Sequence, residues 1–563
     1  MSATPKKNSF FGGAGILTAG IIIVKLIGAL YKIPLGNILT DAAFSDFNTA
    51  YNIYSLLIVI STGGLPVALS KMVSEANALG RENQVKKVFS LALSAFCILG
   101  TISFCIMAFF PQQLADMMRD SQAAYSILAL APAVFFICPM SAMRGYFQGH
   151  ALMTPTAVSQ IIEALCKLVV GLALAAAFQK TLDDEAMAAA GAILGVSVGC
   201  LLGAVYMYFC YRRHMRSLPR TNDKPEDSRT ILSTLAKLAI PITLGSSVIA
   251  LTNILDSRIL LGQLQDALGH TEEAAREMKG VYDKAMTLYN LPASFMVPLT
   301  ASVIPHVSAA LKVKRRRQAA QISETALRTT ALLAIPAGVG LFVLGEPIIA
   351  LLYPTTDVAE AGWMLSVLGV ASISVCFMLV CNSILQAYQM VALPMATTVI
   401  GCALKLAVAY VLIGNPDVGI RGGAISTVVC FWLIALLDLF IIKRTLPRSL
   451  SLGRVFLKPV GAAAAMGLSA WAFHGLACRA MLTLGVKLKT GLFVLLDQSG
   501  EPVLDELGSA ALSRTGVALS VMAPIGIAVI VYFALILVTK AISKEDLALI
   551  PKGDKIARIL RLE

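Results

Sequence analysis

Long apolar runs recur from one end of the chain to the other, and they limit its fold more than any other feature. Hydrocarbon offers no partner to a peptide N–H or C=O, so a segment that crosses it must be a helix or part of a closed barrel. The runs show no period-two alternation, and each approaches or exceeds the roughly 20 residues that a crossing helix needs. Spans are expected near residues 13–37, 47–78, 88–111, 122–146, 154–179, 187–211, 231–262, 280–311, 321–346, 361–388, 393–414, 420–442, 455–475 and 515–540. The chain therefore reads as an all-α polytopic membrane protein with about fourteen transmembrane helices. Charged residues make up only 14% of it, against about 25% in soluble domains, which excludes a globular enzyme on an anchor. The second, seventh and eighth spans hold Gly63, Gly64 and Pro66, then Pro241, then Pro292, Pro298 and Pro305. Those spans are expected to kink or to run past the bilayer.

The formal net charge of +13 could point to nucleic acid, but its distribution points elsewhere. Basic residues gather in alternate connections: Arg81/Lys86/Lys87, the run Arg212, Arg213, Arg216, Arg220, the cluster Lys312 to Arg317, Lys443/Arg444/Arg448, and the tail from Lys540. The intervening connections, QKTLDDEA, GQLQDALGHTEEAAREMKG and EPIIALLYPTTDVAEAG, are neutral or acidic. That alternation follows the positive-inside rule. It predicts a multi-pass protein of the cell membrane with both termini cytoplasmic, and no nucleic-acid partner. The first residues, MSATPKKNSFFGGAG, lack the short apolar core and cleavage site of a signal peptide, so the first span is expected to stay.

Ten of the eleven cysteines lie in or beside apolar runs, without a Cys-x-x-Cys; they read as small hydrophobes rather than disulfides or metal ligands. The five histidines have no ligand spacing, and there is no Walker A, no GxGxxG opening a helix and no HExxH. The chain is expected not to be an enzyme and to carry no cofactor beyond a possible coupling ion. Any cargo would move on an ion gradient, the membrane potential or its own gradient.

The sequence also repeats. Tyr51-Asn52 recurs as Tyr289-Asn290, 238 residues on, and Gln148 with Lys167 recurs as Gln386 with Lys405 at the same offset. Leu65-Pro66-Val67 has an echo in Ile304-Pro305-His306 at offset 239. Several matches at one offset argue for duplication. Six spans fit each unit, so two parallel six-helix repeats are expected, as two lobes around a central cavity. The expected division is 1–229 (spans 1–6), 230–450 (spans 7–12) and 451–563, the last holding two extra spans, an external loop at 476–514 and a cytoplasmic tail. The runs around Asp497-Gln498-Ser499-Gly500 suit a small hairpin or a plain surface loop.

Chemistry should lie where charge falls inside an apolar run, because a charged side chain at mid-bilayer costs about 2.5–3.5 kcal/mol. The densest case is RGYFQGHALMTPTAVSQIIEALCKLVVG, from Arg144 to Gly171. Thr156, Ser159, Gln160, Glu163, Lys167 and Gly171 share one helical stripe. Glu163 and Lys167, four apart with the acid first, are placed to pair or to serve a cavity. Lys405 has Gly401 where Glu163 would be, so it needs another helix, water or an anionic ligand; Asp256 and Asp438 are the available carboxylates. An Asp256–Lys405 pair would leave Arg258, two residues on, for the cavity or its rim. In the first span Lys25, Gly28, Lys32 and Gly36 form a stripe, with Lys25 deep and Lys32 either in the cavity or snorkelling to an interface. Lys284 lies near Asp283, Thr287 and Asn290 in the eighth span. The candidate binding set is thus Lys25, Lys32, Arg144, Glu163, Lys167, Arg258, Lys284 and Lys405. Its cationic excess suits an anionic, diphosphate-bearing head group.

The 144–171 block, with Lys25-Leu-Ile-Gly28, YNIYSLL, GGLPVALSKMVSE, YNLPASF and VIPHVSAAL, resembles the stage V sporulation protein B group of polysaccharide and lipid II flippases. That group belongs to the multidrug/oligosaccharidyl-lipid/polysaccharide exporter superfamily. The resemblance spans nearly the whole chain. It implies fourteen helices, alternating access, and a polyprenyl-diphosphate-linked saccharide moved from the inner to the outer leaflet. Lys25 matches a required arginine of the lipid II flippases, Tyr31 stands where they carry a further arginine, and Lys284 lies a few residues from their cationic position. Some relatives bind sodium through spans seven, eleven and twelve; here Lys405 falls about where a ligand is expected, and its ammonium could replace the ion. A monomer contacting membrane lipids and a lipid-linked anionic saccharide is the expected working form. A cation-coupled multidrug exporter of the same fold, and a non-transporting scaffold for wall or spore synthesis, are the alternatives.

Overall fold

The computed structural model describes residues 8–182, 184–217, 221–445, 452–488, 493–495, 503 and 512–539. Among them are fourteen helices long and apolar enough to cross a membrane. In order they are α1 (Ala19–Ile38), α2 (Asp41–Ala78), α3 (Glu82–Phe109), α4 (Ala123–Gly149), α5 (Thr154–Thr181), α6 (Glu185–Arg216), α7 (Ser228–Ala267), α8 (Glu272–Lys312), α9 (Arg316–Val343), α10 (Val358–Ala387), α11 (Ala392–Ile413), α12 (Arg421–Thr445), α13 (Val455–Leu484) and α14 (Arg514–Val538). The protein is a multi-pass membrane protein. Polar side chains cap the starts of four helices: Thr40, Asp227, Asp357 and Ser513 each accept a hydrogen bond from a first-turn amide that would otherwise lack a partner.

Three irregularities matter later. In α2 the glycine pair breaks the helix into Asp41–Thr62 and Leu65–Ala78. The amide of Gly64 donates to Thr243 Oγ1 of α7 at 3.0 Å, and a Cβ on Gly64 would strike the carbonyl of Ala239. In α5 the residues Lys167–Gly171 form a π-helical turn. The eighth helix begins at Glu272, so the Glu272–Gly280 end of the stretch expected as an external connection is helical.

The chain divides into two compact units, one of Met1–Asp283 with Ala409–Ile420, the other of Lys284–Val408 with Arg421–Glu563. The division falls after Asp283, whereas the repeat boundary is expected at 229/230. The reason is packing: α7 lies along both halves of α2 and against α3, and the first half of α8 is pinned to α2 by the Arg276–Asp46 ion pair. Each unit has its own apolar core. The first is centred on residues such as Tyr31, Phe44, Phe47, Phe96 and Tyr146, the second on residues such as Val303, Leu327, Cys376, Ile384 and Tyr532. The α4–α5 and α10–α11 turns carry the same hydrogen bonds 238 residues apart. Leu152 N donates to Phe147 O and Met390 N to Leu385 O, both at 2.9 Å, with left-handed Ala151 and Gln389 at the corners. The helix through Val455–Leu484 continues to Leu488, so the expected loop begins later than 476. An antiparallel bridge joins Val494 to Leu512; the Asp497–Gly500 turn and the basic tail lie outside the described residues.

Candidate functional site

The first half of α8, EEAAREMKGVYDKAMTLY, looks too polar for a membrane but carries one polar stripe that is largely buried. Arg276, Lys279, Asp283 and Thr287 follow at steps of three and four, and Arg276, Lys279 and Thr287 are buried. At Arg276 and Lys279 that stripe meets the start of α2. Arg276 grips Asp46 with Nε at 2.8 Å and Nη2 at 2.6 Å, and its Nε lies 3.5 Å from Asp120. Thr49 donates to the other oxygen of Asp120 at 2.7 Å. Lys279 donates to Asp283 at 2.7 Å and reaches Ser45 at 3.4 Å. The approach depends on Gly280, because a Cβ there would overlap the backbone carbonyl of Asp41. Arg276 and Lys279 escape a reading by average hydropathy, since a buried stripe on a polar helix averages to a loop. Their spacing was the signal that could have found them.

One turn further along α2, Lys32 of α1 approaches the amide oxygen of Asn48 at 3.4 Å. Beyond it Lys167 of α5 stands over three rings, with centroids of Tyr31 at 4.8 Å, Tyr51 at 4.5 Å and Phe47 at 5.9 Å. Aromatic faces attract a cation without neutralising it. Glu163, the expected partner of Lys167, is engaged elsewhere: Arg144 donates to its Oε2 at 2.9 Å and to Ser159 at 3.0 Å. Of the two readings of Glu163 and Lys167, pairing with each other or serving a cavity, the first is not what the structure shows: Glu163 pairs with Arg144, and Lys167 stands over aromatic rings.

The remaining candidates fall in one unit or the other. Lys25 is exposed on α1. Arg258 is exposed on α7, donates to the carbonyl of Met117, and lines a cavity of about 400 Å³ with Arg119, Gln263, Asp266 and Tyr410. Arg119 is paired there with Asp266 at 2.8 Å. Lys284 is buried in the second unit, 5.6 Å from the Tyr353 ring centre. Lys405 is also buried there, whereas Asp256 is buried in the first unit. The structure thus gathers Lys32, Arg144, Glu163 and Lys167 around α2, α4 and α5, and adds Arg276 and Lys279.

A long polar connection docks at the opposite end of α3. Asp223 accepts from the amides of Asn83 at 3.1 Å and Gln84 at 2.9 Å, capping that helix. Partial burial opposes its charge, yet hydrogen bonds from Thr221 and the two amides outweigh it and hold the carboxyl below the usual aspartate range.

Fourteen helices long and apolar enough to cross a membrane, with buried cations met by rings, amides and carboxylates, define a polytopic membrane fold among the described residues. A solved structure of the lipid II flippase MurJ in an inward closed conformation matches 93% of this chain and 98% of its own, with a TM-score of 0.65 and 14% identity. An inward-facing multidrug resistance MATE transporter of the MOP superfamily matches 77% of this chain and 98% of its own, at 0.62 and 14% identity. The chain belongs to the polysaccharide biosynthesis protein family, whose profile matches residues 10–311, and the MatE profile matches residues 280–411. Stage V sporulation protein B of Bacillus subtilis (strain 168) is 26% identical over 450 residues, 79% of this chain and 86% of that protein. The lipid II flippase MurJ of the same organism is 26% identical over 455 residues, 77% of this chain and 82% of that protein.

Proposed function

We propose that the protein is a flippase that moves a polyprenyl-diphosphate-linked saccharide, a peptidoglycan precursor or related polysaccharide unit, from the inner to the outer leaflet by alternating access. The observation that carries this reading is Lys167. It is an ammonium in the middle of an apolar helix, held by three aromatic rings and by no carboxylate within ion-pair distance among the described residues. Such a cation is available to a phosphate in a way that the Arg144 and Arg276 guanidinium groups, already bonded to carboxylates, are not. Lys25 and Lys32 on α1 add two further cations for the head group. Arg258, Lys284 and Lys405 serve as secondary contacts along the route, and Glu163 positions Arg144. Loop charge supports both termini being cytoplasmic. A monomer suffices, and the chain moves its cargo without chemical conversion.

The MatE match over 280–411 favours a second reading, a cation-coupled exporter of drugs. The two differ in the sign of the cargo. The test is leaflet exchange of a labelled polyprenyl-diphosphate saccharide in vesicles holding the full chain. Wild type should exchange it and Lys167→Met should lose at least about tenfold in rate, while efflux of an organic cation stays absent in both. Exchange that Lys167→Met leaves untouched, or efflux of the cation, would overturn the proposal.

A further inference from the structure

The polar cluster of α4, α5 and α6 has a counterpart 238 residues on, with its charge rearranged. In the first repeat Arg144 of α4 donates to Ser159 and Glu163 of α5, and the thiol of Cys200 of α6 reaches Glu163 at 3.8 Å. The residues 238 positions later are Asn382 of α10, Thr397 and Gly401 of α11, and Asp438 of α12. The carboxylate has passed from the α5 place to the α6 place, and the arginine is gone.

What remains is an anion without its cation. Asp438 is fully buried and accepts one hydrogen bond, from Thr397 Oγ1 at 2.7 Å on Oδ1. Its Oδ2 has no hydrogen-bond partner among the described residues, nor has the buried Oδ1 of Asn382. No lysine, arginine or histidine nitrogen lies within ion-pair distance of Asp438 among those residues. The titratable groups that face it are few. From α10 comes the Cys381 thiol, near enough to feel its charge. On α11 Lys405 lies eight residues beyond Thr397, about 12 Å along the axis, and on α12 itself Lys443 lies five residues on, about 7.5 Å. A buried ionised carboxylate without a counter-charge costs enough that such a group neutralises instead. Among the described residues no group of three or more His, Cys, Asp or Glu side chains that could hold a metal ion occurs here.

We propose that Asp438 is a proton-binding site, the proton on Oδ2 taking the place that the Arg144 guanidinium fills in the first repeat. Oδ1 stays free to accept from Thr397. Binding of the proton does not depend on what the chain moves; its use as the coupling ion rests on the transport reading above.

The test is infrared difference spectroscopy of the full-length protein in lipid discs, recorded between pH 6 and an alkaline reference. At pH 6 an unperturbed aspartate, with a pKa of about 3.9, keeps under about 1% of its protons. Wild type should show the carbonyl stretch of a neutral carboxylic acid at pH 6. Asp438→Asn, uncharged and of equal size, should lose it. Thr397→Val should keep it at higher wavenumber, because the donated hydrogen bond is gone. Identical wild-type and Asp438→Asn spectra would overturn the site, and so would a band that vanishes when sodium replaces potassium at fixed pH. If the band behaves as stated while wild type shows no leaflet exchange, the transport reading falls and the proton site stands.

Discussion

Arg276 holds two fully buried carboxylates at once, so replacing it by methionine should hurt far more than replacing either acid. The substitution removes the two bonds to Asp46, at 2.8 and 2.6 Å, and the 3.5 Å contact to Asp120, and leaves both acids facing each other. Removing one partner of a buried pair costs about 3–5 kcal/mol. With two anions stranded the loss belongs near 5 kcal/mol, roughly a factor of several thousand in the folding equilibrium. Asp46→Asn is milder, since Arg276 keeps Asp120 and a neutral acceptor; about 1–3 kcal/mol is expected. Adding Asp46→Asn to Arg276→Met should therefore relieve the damage, recovering at least about 1.5 kcal/mol relative to Arg276→Met alone. Unfolding of the purified variants by heat or by a denaturing detergent ranks the three. The reasoning fails if Arg276→Met is no worse than Asp46→Asn, or if the second substitution deepens the loss.

Further expectations can be checked beside it. Gly280→Ala should push α8 off α2 and lower stability by about 1–3 kcal/mol, whereas Gly262→Ala, with open space around it, should be neutral or slightly stabilising in the same melt. Gly64→Ala should do comparable harm by driving α7 from the α2 break, and a cysteine cross-link between α2 and α7 should then form more slowly. Asp223 has a lowered pKa, so its capping contribution is complete above the ordinary aspartate value near about 3.9 and is lost as pH falls through its own lower one. Exchange at the Asn83 and Gln84 amides should rise only at such acid pH in wild type, and already at neutral pH in Asp223→Ala. Lys167→Met should leave the melting profile within about 2 kcal/mol of wild type, the upper worth of its ring contacts, while leaflet exchange drops.

The membrane helices were legible because each is an apolar run that no other structure can place in lipid, and the α4–α5 turn announced its copy through Gln148 and Lys167. Pairing partners were not legible. Glu163 has Lys167 four residues away in sequence, yet its partner is Arg144, because the packing of α4 against α5 brings the guanidinium to it. The α8 ridge was read as a loop because Glu272, Glu273 and Glu277 mask Arg276 and Lys279, whose burial depends on what α2 presents. Asp120 is the plainest case: it lies in a short connection, and only the fold brings it to the Arg276 side chain.

The break in α2 has a mechanical consequence. A continuous helix transmits torque along its whole length, but here the ladder is interrupted at Gly63 and Gly64, and the freed amide is lent to a hydroxyl on α7 rather than to its own strand of bonds. The segment bearing Ser45, Asp46, Asn48 and Thr49 is held by contacts of its own, Asp46 to Arg276 and Thr49 to Asp120, and not by one continuous ladder shared with the segment after Pro66. A joint of this kind lets one half of a crossing rod answer events that the other half never feels.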